Sequence, residues 1–220
     1  GAVILALIFI LIEQHSPAPM LDLSLFRIPL FSASAANAVL NYICVFSITF
    51  LMPFYLIQGR GLNPAQAGLL LTVQPVMMAI AAPVSGAFSD RIGSRRPGMI
   101  GMGVLAVGLL LLSRLDAESG LWLAVLGLVV AGTGTGMFIS PNTSALMGAA
   151  PRDRQGIASG VLATARNFGM VLGIGLAAAI FTTHLALNTT DAFYAGIDRG
   201  FLVASGIAVL AVVVSAVKDE

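Results

Sequence analysis

Apolar runs dominate the chain, and polar residues gather in the short stretches between them. Runs at residues 30–57, 64–89, 98–113, 121–149, 154–184 and 200–217 are each about the length needed to cross a bilayer. Residues 1–12 are apolar too, but twelve helical residues rise only about 18 Å against a hydrocarbon core of ~30 Å. They read as the end of a helix that starts before Gly1, and the chain as a piece of something longer. Residues 13–29 hold Pro17, Pro19, Pro29, Glu13, Asp22 and Arg27 and read as a polar linker on the cytoplasmic side, whose 21–28 segment suits a short interfacial helix.

Local signals sharpen these limits. Asn63-Pro64-Ala65-Gln66 has a cap residue, a proline at the first helical position and a Gln at the third, which together start a helix. Pro53, Pro75, Pro83 and Pro141 sit within spans, where neighbouring helices can satisfy the carbonyls they free. Arginine and lysine side with one another: Arg27, Arg91, Arg95, Arg96, Arg152, Arg154 and Lys218 fall on one side, and Arg60, Arg114 and Arg199 on the other. That asymmetry predicts a cytoplasmic C-terminus in the cell membrane.

Composition agrees with this pattern. The 220 residues are 58% hydrophobic and 10% charged, with mean hydropathy +0.96. The fold class is therefore an all-α polytopic membrane protein of six complete spans, divisible into two three-helix repeats of opposite topology. A net charge of +1 without a basic tract gives no reason to expect nucleic acid. The single Cys44 and the widely separated His15 and His184 predict no metal, and nothing calls for a cofactor. Gly132-Thr133-Gly134-Thr135-Gly136 has no strand before it and lies mid-span, which excludes a dinucleotide loop.

The densest chemistry is Gly86-x-x-x-Asp90-Arg91-x-Gly93-x-Arg95-Arg96-Pro97, between two apolar runs. Gly86 permits close helix approach, Asp90 can accept hydrogen bonds at a helix end, and Gly93 suits a turn with positive φ. Arg91, Arg95 and Arg96 can pair with carboxylates or lipid phosphate. Any polytopic protein has basic loops, but the order and spacing here resemble the signature loop of the major facilitator superfamily. Further stretches resemble its fourteen-helix drug:proton antiporters: Leu21–Arg27, Ala67–Leu70 with Gln74-Pro75, Arg152–Gly160, and Arg166–Gly169. That branch inserts two helices between its six-helix halves, which accommodates the apolar run at 1–12.

The resemblance implies the C-terminal half of a transporter, with a missing N-terminal half as partner, a small-molecule substrate between the halves and protons as the coupling ion. It implies that Asp90 and Arg91 form a latch to that half, and that Gly156–Gly160 meets the other half's own loop. Candidate cavity residues are Asn37, Asn41, Tyr42, Phe46, Gln74, Phe138, Arg166 and Asn167. For Asn37, Asn41 and Gln74, inter-helix hydrogen bonding is an equal reading. Arg166, about 18 Å along its helix from Arg154, would face a cavity or partner or else snorkel. Gly132/Gly136, Gly156/Gly160 and Gly169/Gly173 read as helix-packing pairs. No Asp or Glu lies within the predicted spans, so the coupling acid is expected in the missing half. The expected activity is proton-coupled efflux of lipophilic or cationic drugs. Alternatives are a carrier for a specific metabolite, a non-transporting subunit and a membrane enzyme; no His, Asp or Ser constellation in the spans supports the last.

Overall fold

A computed structural model of the chain describes residues 23–185 and 189–216, and every regular element there is helical. The expectations for residues 1–22 lie outside the described residues. A 3₁₀ turn at Leu23–Arg27 leads into α1, Pro29–Pro53, whose first helical position is a proline. The turn is not simply polar linker. Leu25 is buried with Phe31 and Leu146, so it anchors the entry of α1 onto the bundle.

Past Pro53 the helix widens into a π-type turn, Phe54–Gly59. Proline has no N–H to give its own turn. Arg60 N–H then reaches back five residues to the Tyr55 carbonyl at 2.9 Å. Gly61, at φ +67°, reverses the chain. Asn63 and Gln66 make the reciprocal capping box: Gln66 N–H donates to Asn63 Oδ1 at 2.8 Å, and Asn63 N–H to Gln66 Oε1 at 3.3 Å. This starts α2, Pro64–Leu71, and Thr72 separates it from α3, Val73–Ile92. The break falls three residues before Pro75, which cannot donate to the preceding turn. Thr72 turns its hydroxyl onto the Leu69 carbonyl instead, at 2.6 Å.

The remaining helices are α4 (Arg95–Ser113), α5 (Leu121–Ala149), α6 (Gln155–Leu185) and α7 (Thr190–Ala216). Among the described residues, six helical stretches are long and apolar enough to span a membrane. Between α4 and α5, the Asp116 carboxylate accepts from the Ser119 hydroxyl at 2.7 Å and from the amides of Ser119 and Glu118. These bonds, the Ser119 hydroxyl foremost, hold Asp116 below the usual carboxylate range.

One boundary differs in a way that matters. The sequence suggests a polar loop up to Arg199, yet α7 starts at Thr190. Asp191, Asp198 and Arg199 made that stretch look like a loop; Ala192, Ile197 and Phe201, all buried, give it a helical apolar stripe. Asp191 and Asp198 therefore lie within a helix. At 27 residues α7 is about 40 Å long, so its first turns can extend beyond a ~30 Å core.

The helices pack in two sets. α3 and α4 rest on α5, while α6 and α7 rest on α1; α1–α5 and α4–α7 contacts join the sets. Exchanging α1 with α5, α3 with α6, and α4 with α7 maps these contacts onto themselves, the pattern of two repeats. The symmetry is inexact. α6 and α7 pack together well, but α3 and α4 barely touch.

Candidate functional site

The signature loop is built as its residue types demand. α3 is capped by Gly93 at φ +84°, a backbone conformation that disfavours any side chain. A methyl on Gly86 would sit 2.8 Å from Ser140 Oγ on α5, and Ser85 beside it donates to the Met137 carbonyl at 2.7 Å. The end of α3 is thereby seated on α5. Asp90 is exposed and has no hydrogen-bond or ion-pair partner among the described residues. Arg91 and Arg96 are exposed as well. Arg95 differs, because its Nε–H donates to the Ser215 carbonyl at 3.2 Å. Arg95 thus ties α4 to the last turn of α7, where a cation also meets the negative end of the helix dipole.

The candidate cavity residues separate into two groups. Asn37 and Asn41 are fully buried and point inward. Asn37 Nδ2 donates to Ser215 Oγ at 2.9 Å, and Asn41 Nδ2 lies 3.4 Å from Met102 Sδ. These are inter-helix contacts to α7 and α4, the second of the two readings open to these residues. Phe138 is 2% exposed and packed among core residues, beside Gly98 of α4.

Tyr42 and Phe46 are half-buried on another face of α1, their ring centroids 6.4 Å apart. Gln74 lines a groove of about 270 Å³ between α1 and α2–α3 with Val45, Thr49, Leu71, Pro75 and Met78. Thr49 is the residue the sequence does not single out. Its hydroxyl donates to the Val45 carbonyl at 3.0 Å, as threonines in helices commonly do, so its type carries no signal. Arg166 and Asn167 are exposed on α6. The structure does not bring them to the Gln74 groove.

The glycine pairs behave in two ways. A methyl on Gly136 would lie 2.6 Å from the Met78 carbonyl, and Gly132 abuts the Gln74 backbone, both on α3. Methyls on Gly169 and Gly173 would lie 2.6 Å and 2.5 Å from Tyr42 Cβ and the Ile43 carbonyl of α1. These are packing seats. A Cβ on Gly156 or Gly160 would meet nothing within 4 Å among the described residues.

The Major Facilitator Superfamily model matches residues 34–219. The chain is 30% identical over 219 residues to the riboflavin transporter RibZ of Clostridioides difficile, covering 97% of this chain and 48% of that protein. It is 30% identical over 179 residues to the multidrug resistance protein Stp of Mycobacterium tuberculosis, covering 81% and 33%. It is 28% identical over 213 residues to the quinolone resistance protein NorB of Staphylococcus aureus, covering 94% and 44%. The chain therefore spans half or less of the length of these curated relatives. A chain solved in work on substrate recognition in proton-dependent oligopeptide transporters superposes with TM-score 0.69 at 18% identity, covering 86% of this chain and 48% of that one. At that identity the likeness concerns the fold.

Proposed function

Because this chain belongs to the Major Facilitator Superfamily, we propose that it is the C-terminal six-helix half of a secondary active transporter that exports lipophilic or cationic drugs in exchange for protons. Solute would bind near mid-membrane between this half and a partner half of the same polypeptide. The loop at Asp90–Arg96 and the C-terminus would face the cytoplasm.

One observation carries the reading. The second helix of each triplet, α3 and α6, is the least buried of the six spans, and the two occupy equivalent places in the repeat. A half with two such open helices is suited to a second half laid against it. α3 offers that half a small-residue face: Ala79, Ala82 and Pro83 recur at helical spacing, with Asp90 two turns beyond Pro83. In this reading Asp90 would accept a hydrogen bond from a helix end there. Gly156 and Gly160, open on α6, offer the equivalent smooth surface.

Tyr42, Phe46, Gln74 and Thr49 are the residues we assign to the solute cavity, with Arg166 and Asn167 of α6 as polar candidates. The aromatic pair suits flat or lipophilic solutes, and the relatives named for multidrug and quinolone resistance support that class. The relative named as a riboflavin transporter supports a second reading, a carrier for one flat heteroaromatic metabolite. The acid that couples to protons is assigned to the partner half.

The experiment is transport by the full-length protein in proteoliposomes with an imposed pH gradient. Several unrelated dyes and a quinolone should be moved, with rates that collapse when the gradient is dissipated. Transport of riboflavin alone would favour the metabolite carrier. Transport indifferent to the gradient would remove proton exchange.

A further inference from the structure

The poor contact between α3 and α4 leaves a groove of about 400 Å³ floored by α5. Its walls are almost wholly apolar: Met77, Ile80, Val84 and Phe88 from α3, Ile100 from α4 and Met137 from α5. These α3 residues recur at helical spacing on a face distinct from the small-residue face that carries Asp90. A second concavity continues the first, shares Val84 and Phe88 with it, and adds Arg91.

Arg91 lies one turn beyond Phe88 on that face of α3, and Arg96 lies one turn before Ile100 on α4. Both arginines are exposed, and neither makes an ion pair among the described residues. From Met77 to Ile92 the groove runs about 22 Å along α3, more than the ~15 Å of one leaflet's hydrocarbon. The site therefore has an apolar trough the length of an acyl chain, with Arg91 lining one end of it and Arg96 one turn along α4 from the Ile100 wall.

We propose that this groove holds one anionic phospholipid, its acyl chain between α3 and α4 and its phosphate held by Arg91 and Arg96. The charge and the apolar wall select the occupant together. A guanidinium fork matches phosphate oxygens, and the apolar wall beside it matches an acyl chain. The bulky wall also contrasts with the small-residue face, where close helix approach is possible. The lipid replaces the α6–α7 type of contact that α3 and α4 lack, and acts as a removable wedge between them.

The test uses full-length protein in detergent, titrated with phosphatidylglycerol or phosphatidylcholine and read by native mass spectrometry. One phosphatidylglycerol should bind about ten- to thirty-fold tighter than phosphatidylcholine, and the R91Q/R96Q pair should remove most of that preference. Both positions are exposed, so folding is not at stake. The V84W variant should block the trough and lower the affinity for both lipids. Photoactivatable phosphatidylglycerol should label peptides from α3 and α4. Equal binding of the two lipids, an unchanged R91Q/R96Q variant, or labelling confined to other helices would overturn the proposal.

Discussion

Asn37 of α1 donates through Nδ2 to the Ser215 hydroxyl of α7, 2.9 Å away and 178 residues along the chain. The bond joins the first described span to the last near the arginine-bearing end of the bundle, where Arg95 takes the Ser215 carbonyl. Three helices thus meet at one serine. Asn37 Oδ1 has no partner among the described residues, so the amide is half-satisfied. Inter-helix hydrogen bonds in membranes average about 0.6 kcal/mol and reach about 1.7. Asn37→Leu should therefore lower stability by no more than about 1–2 kcal/mol, and should leave the solute spectrum of the full-length protein unchanged. Unfolding in mixed micelles and a substrate panel check both halves; a changed spectrum would return Asn37 to the cavity.

The glycines divide by what they touch. A methyl on Gly108 would lie 2.8 Å from Ala131 Cα and 2.9 Å from its Cβ, across the α4–α5 interface. Gly108→Ala should cost about 1–3 kcal/mol through overpacking. Gly156→Ala meets open space and gains helix propensity of up to about 1 kcal/mol. Thermal melts of the two variants should move in opposite directions, while transport by Gly156→Ala should fall if that face meets the partner half.

Asp90 is exposed at the end of α3. Asp90→Asn should leave the melting temperature within about a degree, since surface changes usually stay within ±0.5 kcal/mol. Turnover should fall several-fold, because the carboxylate is assigned to the partner half rather than to the fold. Initial rates in proteoliposomes measure this; unchanged turnover would end the latch assignment.

Asp116 gives the turn between α4 and α5 a pH dependence of known sign. Hydrogen bonds from Ser119 and Glu118 lower its folded pKa below the unfolded value. The order they provide is complete above the unfolded pKa and lost as pH falls through the folded one. The protection factor of the Ser119 amide, its exchange rate corrected for the intrinsic base-catalysed rate, should fall on acidification in the wild type. Asp116→Ala should show a low protection factor at every pH.

Much of this architecture is legible in the sequence, for local reasons. The capping box at Asn63 and Gln66 and the positive φ of Gly93 follow from the residues at those positions. The spans follow from runs of apolar residues. What is not legible depends on partners distant in sequence. Asn37 and Asn41 look equally suited to a cavity or a neighbour until α4 and α7 are placed against them. Gly156-x-x-x-Gly160 has the same spacing as Gly169-x-x-x-Gly173, yet among the described residues only the second pair meets another helix. The start of α7 is hidden because Asp191, Asp198 and Arg199 outweigh a stripe of apolar residues that becomes visible only once the helix is docked.

Gly132, Gly134 and Gly136 alternate along α5, the outer two against α3 and the middle one against α4. For a lineage of such proteins this is a constraint on heredity. No single-residue step away from glycine is open at these three positions without displacing a neighbouring backbone. Natural variation should therefore drain from the middle of α5 and pool on α3 and α6. New solute preferences would then arise by substitution on the faces that the fold itself leaves free.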